Sequence, residues 1–364
     1  MDNWYKLQHE DQVDSPALLV YPARIRKNVD VAISMIGDIN RLRPHVKTHK
    51  TKEILKLQMD AGIYKFKCAT IAEAEMLGQM GVKDVLLAYP IQGPKIQKLV
   101  DLIIKHPETQ FSTTIDNQTS AQLLSDFAIQ YNTRIRVYID LDLGMGRTGI
   151  LPGQGALDLY REASHLRGLE LVGLHAYDGH VREIDLGLRK NICDENFLGV
   201  SEMLSVLAGE AAPEIIIGGS PSFPIYSKYP NVECGPGTFV LWDKGYLDTL
   251  PEQEFLPAAV LLCRVISLPG KDRICVDLGY KAVASENPLD QRVFFLNASG
   301  LKPIFHSEEH LVLEVPEKNN WKIGDTLYVL PYHICPTVAL YDKLIVIEDG
   351  VQKAQWTVVG RDRT

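Results

Sequence analysis

The stretch Arg41–Lys50, with the sequence RLRPHVKTHK, has the highest density of basic and imidazole side chains in the chain. The pattern is typical of a short strand that ends in a loop, with a helix following from Thr51. An amine crowded by cations loses its proton more readily, so a lysine here could act as a nucleophile or Schiff-base donor near neutral pH. The alternative is a solvated strand end that binds an anion.

A second pair of reactive side chains is His333 and Cys335. In an extended segment, residues two positions apart face the same side, so both side chains could reach one ion. Two protein ligands are too few for a closed structural site, but an open site suits catalysis. The spacing alone is a weak signal.

Two glycine-rich loops follow apolar runs. Gly218-Gly219-Ser220 ends one run, and Gly235-Pro236-Gly237-Thr238 comes one unit later. Barrels of alternating strands and helices commonly bind a phosphate with the loops after strands seven and eight, through free backbone N–H groups. The alternative is that these glycines only form tight turns.

The segment Gly144–Gly149 satisfies GxGxxG, but a lone match is weak. Asp158 and Glu162 follow too closely to be the ribose-binding carboxylate of a dinucleotide site, which lies about twenty residues on. Arg147 could instead place its guanidinium against an anionic oxygen. His175, at the end of a predicted strand, is a candidate for contacting a ligand.

These residues need elements to position them, and the chain alternates strand-like and helical patterns up to about residue 250. Such alternation predicts a parallel sheet, and eight units in about two hundred residues favour a (β/α)8 barrel with its chemistry at the carboxyl ends of the strands. The predicted barrel strands are 42–46, 64–68, 84–88, 111–115, 135–141, 169–175, 214–217 and 232–240.

The remainder of the chain is β-rich, with turns at Pro269-Gly270, Ser299-Gly300 and Asp349-Gly350 and little helical periodicity. It predicts a smaller, mainly antiparallel β domain. The predicted domains are therefore a barrel over 23–249 and a β domain over 250–364, joined by residues 1–22.

Composition excludes some partners. The chain has 364 residues, a net charge of −8 and a pI of about 5.7. Because the protein is acidic, we do not expect it to attract nucleic acid or anionic membranes. Six scattered cysteines without a CxxC pair indicate reduced thiols, and with no apolar leader we expect a cytoplasmic protein.

Taken together, these residues resemble the fold-type III, alanine racemase-like pyridoxal-phosphate enzymes, and more narrowly the D-threonine aldolase and D-serine dehydratase family. Arg43–Lys50 matches that family's cofactor-lysine segment. The resemblance continues through the loops described above and Pro331–Thr337, and so covers essentially the whole chain.

The resemblance implies roles for individual residues. Lys47 would form the Schiff base with pyridoxal 5'-phosphate, and Arg147 would lie near the phenolic oxygen. His175 and Tyr177 would contact the cofactor. Its phosphate would be held by Gly218, Gly219, Ser220, Gly237 and Thr238. His333 and Cys335 would carry a divalent metal, with zinc favoured and manganese or magnesium as alternatives.

The implied activity is a metal-assisted lyase acting on D-3-hydroxy amino acids. Within the family a cysteine as second metal ligand resembles the dehydratases, and an aspartate the aldolases, which favours elimination slightly. An amino-acid racemase and a non-catalytic pyridoxal-phosphate carrier are the alternatives. A homodimer is expected by resemblance. One departure is Gly235, where alanine racemase has an arginine facing the pyridine nitrogen; Glu233 could substitute for it.

Overall fold

The computed structural model describes residues 3–209, 212–316 and 320–363. It divides into two compact units. The barrel unit comprises Ala32–Lys47, Gln58–Gly237 and Asp362–Thr364, and the β unit comprises Met1–Val31, Thr48–Leu57 and Thr238–Arg361. The predicted domain boundaries at 23–249 and 250–364 stay predictions.

The strands and helices alternate up to residue 234, and strands predominate after it. The strands are β1 (Ala17–Val20), β2 (Lys65–Cys68), β3 (Asp84–Leu87), β4 (Gln110–Ile115), β5 (Ile135–Asp142), β6 (Leu169–Tyr177), β7 (Glu214–Ile217), β8 (Glu233–Cys234), β9 (Ala259–Gly270), β10 (Arg273–Val276), β11 (Val293–Phe295), β12 (Lys302–His306), β13 (Leu311–Glu314), β14 (Thr326–Pro331), β15 (Lys343–Glu348) and β16 (Val351–Thr357). The helices are α1 (Pro22–Ile36), α2 (Lys52–Asp60), α3 (Ile71–Gln79), α4 (Pro94–Lys105), α5 (Gln118–Gln130), α6 (Gln154–His165), α7 (Leu186–Leu207), α8 (Phe223–Tyr226), α9 (Lys244–Thr249) and α10 (Ile334–Val338).

The barrel unit contains a seven-stranded parallel sheet in the order β2-β3-β4-β5-β6-β7-β8. The predicted first strand, 42–46, is reduced to isolated bridges to Cys234 and Lys67. Pro44 explains the reduction, because it has no N–H to donate. The flanking N–H groups still donate, from Arg43 to the Cys234 carbonyl and from Val46 to the Lys67 carbonyl, each at 2.9 Å. The segment thus bonds to both ends of the sheet, and the predicted fold class is confirmed.

Beneath the segment lies a buried ionic network centred on Arg43. Its guanidinium donates to Asp84 at 2.6 and 3.0 Å and to Oε2 of Glu233 at 2.6 Å, and its side chain is fully buried. The other oxygen of Glu233 pairs with Lys65. Both oxygens of Glu233 are therefore engaged with cations, and its role in place of an arginine at position 235 stays a prediction.

The β unit contains β1 and β9–β16. Their order is β12-β13-β10-β9-β1-β15-β16, with β14 also on β9 and β11 on β14. Strand β1 is antiparallel to β9 and parallel to β15. The predicted β-rich, mainly antiparallel region is confirmed. Strands β12 and β16 were not predicted from the sequence, because most of their residues are exposed or half-buried and give little apolar alternation.

A compact core supports the β unit. It includes Tyr5, Leu19, Leu262 and Tyr328. The Tyr328 hydroxyl accepts the Leu7 N–H at 2.9 Å, which ties the N-terminal residues to this core. Among the residues with described positions, no helix is long and apolar enough to cross a membrane.

Candidate active site

The pocket of the barrel unit is organised around Tyr177, the last residue of β6. Three cationic side chains surround its ring: the Lys47 amine lies 5.5 Å from the ring centroid, the Lys67 amine 5.9 Å, and the Arg147 guanidinium carbon 5.0 Å. Three positive charges around one aromatic ring make the pocket suitable for an anionic ligand. The predicted site residues Lys47, Arg147 and Tyr177 are thus brought together.

His175 is held from both sides. It is 4 % exposed, its Nδ1 lies 2.7 Å from Oδ1 of Asp140, and its Nε2 lies 3.3 Å from the Lys67 amine. Burial opposes ionisation of Asp140, but the hydrogen bond from His175 lowers the pKa of this carboxyl, with smaller contributions from Thr148 and the charge of Arg147. An ionised carboxylate only accepts hydrogen bonds, so Nδ1 carries the proton and Nε2 accepts from Lys67. Burial, followed by the charge of Lys67, lowers the pKa of His175, which is therefore neutral.

The two glycine-rich loops meet in the barrel unit. Gly218 follows β7 with a φ of +76°, a conformation that favours glycine. The Gly237 N–H donates to the Ser220 hydroxyl at 3.3 Å. The Gly219 N–H donates to the Ser222 hydroxyl at 3.1 Å and is therefore already satisfied. The hydroxyl of Ser220, with the backbone beside it, is the part of this cradle that suits a phosphate.

The GxGxxG segment adopts a closed loop instead of a phosphate cradle. The N–H groups of Gly144 and Gly146 donate to the Asp142 carboxylate at 3.0 and 3.1 Å. The Gly149 N–H donates to Asp116 at 3.0 Å. These donors are engaged within the protein, which argues against a dinucleotide site and leaves Arg147 as the residue the loop presents.

In the β unit, Cys335 lies among hydroxyl groups. Its Sγ is 3.2 Å from Oγ1 of Thr48 and 3.5 Å from Oγ1 of the predicted phosphate ligand Thr238. The partly exposed ring of His333 makes a short hydrogen bond through Nδ1 to Glu286. A histidine whose one nitrogen is held by a carboxylate presents the other to a metal, which is the usual arrangement around metal-binding histidines.

The prediction that His333 and Cys335 lie in one extended segment is wrong. His333 is extended, with φ −135° and ψ 101°, but it precedes the short helix α10, and Cys335 lies in the first turn. The Ile334 N–H, unsatisfied within such a helix, donates to buried Asp243 at 3.0 Å. The two side chains are nonetheless close enough that each shifts the pKa of the other.

The charges of this pair depend on each other. Burial opposes the ionisation of both side chains, but their mutual hydrogen bond and attraction raise the pKa of His333 to about 9 and lower the pKa of Cys335. Burial raises the pKa of the neighbouring Asp243 to about 6. The thiolate and imidazole are donors suited to zinc. Among the residues that the structure describes, no group of three or more His, Cys, Asp and Glu could hold a metal.

Several residues of these two clusters were not singled out in the sequence. They are Lys67, Thr48, Asp243, Glu286 and, as a partner of His175, Asp140. Lys67 carried the clearest signal: Lys65 and Lys67 alternate with Phe66 and Cys68 in a strand whose residues 66–68 are buried. A lysine inside a barrel strand is rarely buried without a functional or ionic partner. The others lie in loops or far apart in sequence, and only the fold brings them together.

Two family models match the chain. The alanine racemase N-terminal domain matches residues 20–240, and a putative serine dehydratase domain matches residues 258–347. The predicted resemblance is thereby confirmed. The residues present in the barrel pocket, with the Lys47 amine beside Tyr177 and two glycine-rich loops, fit pyridoxal phosphate, the cofactor of this enzyme group.

Individual relatives are lyases. The chain is 27% identical to a D-threonine aldolase from Arthrobacter sp., covering 96% of this chain and 93% of the relative. It is 23% identical to D-threo-3-hydroxyaspartate dehydratase of Delftia sp., covering 90% and 93%. An alanine racemase from Clostridium perfringens matches 42% of this chain and 39% of its own length. The prediction of a lyase of this group is confirmed by these near full-length relatives.

Solved structures share the fold. The D-threonine aldolase of Filomicrobium marinum has a TM-score of 0.88 at 24% identity and covers 98% of this chain and 97% of its own. The Delftia dehydratase has a TM-score of 0.83 at 22% identity, with 96% and 98% covered. One variant of that dehydratase, with a cysteine replaced by alanine, is in a metal-free form. With a matching family model that spans more than half of its length, the chain belongs to the family of the alanine racemase N-terminal domain.

Proposed function

We propose that this protein is a pyridoxal-phosphate- and metal-dependent lyase that eliminates water from D-3-hydroxy amino acids such as D-serine or 3-hydroxyaspartate. The observation that carries the proposal is the His333–Cys335 pair. It is oriented by Glu286 and contacted by the hydroxyls of Thr48 and Thr238. A racemase on this barrel has no use for such a pair.

Residues of the barrel would bind the cofactor and move one proton. When bound, pyridoxal phosphate withdraws electrons from the substrate Cα. Lys47 is proposed to hold the cofactor and, once the substrate amine has taken its place, to accept the Cα proton on Nζ. Arg147 would neutralise an anionic oxygen, and the hydroxyls of Ser220 and Thr238 would bind the phosphate. The N–H groups of Gly218, Gly219 and Gly237, which the resemblance assigns to the phosphate, donate within the protein instead. His175, neutral and fixed by Asp140, would contact the ring without adding a charge.

The β unit would supply the Lewis acid. His333 and Cys335 are proposed to hold a divalent cation, zinc being favoured by a thiolate and imidazole and manganese or magnesium being alternatives. A cation held there would supply Lewis-acid chemistry, which would lower the cost of losing hydroxide from Cβ. A cysteine-to-alanine variant of the Delftia dehydratase in a metal-free form is in keeping with a metal role for a cysteine in that relative.

Aldol cleavage is the second candidate. It is favoured by the Arthrobacter aldolase, which has a higher identity to this chain than the Delftia dehydratase. In that reaction the same cation would acidify the β-hydroxyl, and the Cα–Cβ bond would break instead of Cβ–O. We take elimination as the first candidate because the second metal ligand is a cysteine.

Product analysis tests the proposal. Purified protein loaded with pyridoxal phosphate and zinc is incubated with D-serine, D-threonine and D-threo-3-hydroxyaspartate, with and without a chelator. A 2-oxo acid and ammonia indicate dehydration, and glycine with an aldehyde indicates aldol cleavage. A racemase would give the L-enantiomer in the presence of chelator, and a carrier would give no product; either result overturns the proposal.

The assembly and location are also proposals. We propose a homodimer, on the strength of the resemblance, and a cytoplasmic location, supported by the six free cysteines of the described residues. Light scattering of the purified protein tests the dimer, since a monomeric mass of about 41 kDa would contradict it.

A further inference from the structure

A second amine lies in the barrel pocket and has no role in the function proposed above. Lys67 is 1 % exposed, and its Nζ lies 3.3 Å from Nε2 of His175. It occupies space that Gly235 leaves free, because a Cβ at position 235 would lie 2.5 Å from this Nζ and 2.7 Å from Cε. Any side chain at position 235 would therefore displace the amine.

Lys67 is not paired with a carboxylate in the way its strand neighbour is. The amine of Lys65, two residues earlier on β2, forms an ion pair with Glu233. The Lys67 amine donates to a neutral imidazole and faces the ring of Tyr177. A buried lysine without an adjacent counter-ion costs free energy, so a structural role alone would be better served by an apolar side chain.

Charged and titratable groups face Lys67 from several elements. They are Arg43 and Lys47 on the first segment, Asp140 on β5, His175 and Asp178 at the end of β6, and Cys234 on β8. Burial, then the positive charges of Lys47 and Arg43, lower the pKa of Lys67 to about 7, against the smaller effect of Asp140 and Asp178. The charge of the pocket thus changes near neutral pH at this one amine.

We propose that Lys67 is a positioning residue for the cofactor: it donates a hydrogen bond to Nε2 of His175, and its charge sets the pH range in which the pocket holds the anionic pyridoxal phosphate beside Lys47. The proposal rests on the cofactor assignment and is independent of the metal and of the bond that breaks. Loss of the Lys67 proton removes one of three cations around Tyr177, so the affinity for the cofactor falls as the pH rises through neutrality.

The test follows the visible absorption of the holoenzyme and the dissociation constant of pyridoxal phosphate on both sides of pH 7. In the wild type we expect both to change with one transition near neutral pH. Lys67→Met, which fills similar volume without charge, removes the transition. Lys67→Arg remains charged and also shows no transition there. Lys65→Met is the matched control from the same strand, and it keeps the wild-type transition.

A bound phosphate itself titrates at about pH 6, so the comparison between variants is the decisive part. A transition that persists unchanged in both Lys67 variants overturns the proposal, as does a wild type whose absorption and affinity are independent of pH. Absence of any visible band in the wild type would instead refute the cofactor assignment. A second readout needs no cofactor: the His175 Nε2 resonance in the apoprotein shifts in Lys67→Met and stays in Lys65→Met.

If Lys67→Met does not fold, as judged by circular dichroism, Lys67→Gln takes its place. The glutamine amide keeps a donor for Nε2 of His175 and has no proton that titrates near pH 7. It is therefore expected to restore the histidine resonance while the pH transition remains absent. Reappearance of the transition in this variant would contradict a role for the Lys67 charge.

Discussion

Oδ1 of Asp140 lies 2.7 Å from Nδ1 of His175, and this contact fixes which ring nitrogen carries the proton. In Asp140→Asn the amide can donate to Nδ1, so the proton moves to Nε2, where it meets the N–H groups of Lys67. We expect turnover to fall on the order of a hundredfold and the pKa of His175 to fall further, because Asp140 raises it.

Ring-nitrogen resonances of His175 and steady-state rates check this prediction. The matched control is Asp142→Asn on the same strand, since Asp142 binds loop N–H groups and not the histidine. A normal tautomer with full activity in Asp140→Asn would contradict the assignment.

Two amines lie near Tyr177, and we expect only Lys47 to bond covalently to the cofactor. Borohydride reduction of the holoenzyme followed by peptide mass spectrometry should give a pyridoxyl label on Lys47 and none on Lys67. Lys47→Ala should lower turnover by at least about a thousandfold, a loss of about 4 kcal/mol in transition-state stabilisation. A pyridoxyl label on Lys67 would contradict our assignment of the Schiff base to Lys47.

Metal affinity should rise with pH. Without metal, the pKa of His333 is raised to about 9, so its imidazole carries a proton below pH 9. A metal displaces that proton, and the affinity should therefore increase by about tenfold per pH unit between neutrality and pH 9. Competition with a zinc-sensitive dye measures it.

Cys335→Ala should lose the metal and the metal-dependent activity. Cys275→Ala, which removes a buried thiol of the same unit, should keep both. Zinc affinity that does not vary with pH, or that survives in Cys335→Ala, would show that the ion is held elsewhere.

Arg43 should matter for stability more than any surface ion pair. Its removal in Arg43→Met leaves Asp84 and Glu233 buried without their main partner, at a cost of about 3–5 kcal/mol. Lys105→Met, which breaks an exposed pair with Glu75, should cost at most about 1 kcal/mol. Urea unfolding measures both values.

The same network predicts a pH dependence. Burial opposes ionisation of Asp84, but the hydrogen bond and charge of Arg43 lower its pKa below the ordinary value of 3.8. The stability that Asp84 contributes is therefore present above pH 3.8 and is lost as the pH falls through the lowered pKa. In Arg43→Met this loss of stability at acid pH should disappear. If the free energy of unfolding depends on pH in Arg43→Met as it does in the wild type, the role of Arg43 is contradicted.

Much of the fold could be predicted because strand and helix periods differ and glycine-rich loops mark strand ends. The reduction of the first barrel strand to isolated bridges could not be predicted from the apolar pattern, because that pattern does not show that Pro44 lacks an N–H donor. The exposed strands β12 and β16 lack the alternation that a buried face imposes. At the site, Lys47 and His333 were predicted from local chemistry and from resemblance. Lys67 was not singled out, although its place in a buried strand is a signal, because the space for its amine depends on the absence of a side chain at Gly235.

The close approach of Lys67 to Gly235 constrains the order in which substitutions at these two positions can be made. A mutation that gives residue 235 a side chain before Lys67 has become smaller collides with the buried amine, whereas shortening Lys67 first leaves a void that residue 235 can then fill. The side chains at the two positions should therefore be coupled, because they compete for the same space. In a library that randomises both positions, larger residues at 235 should be enriched together with smaller residues at 67.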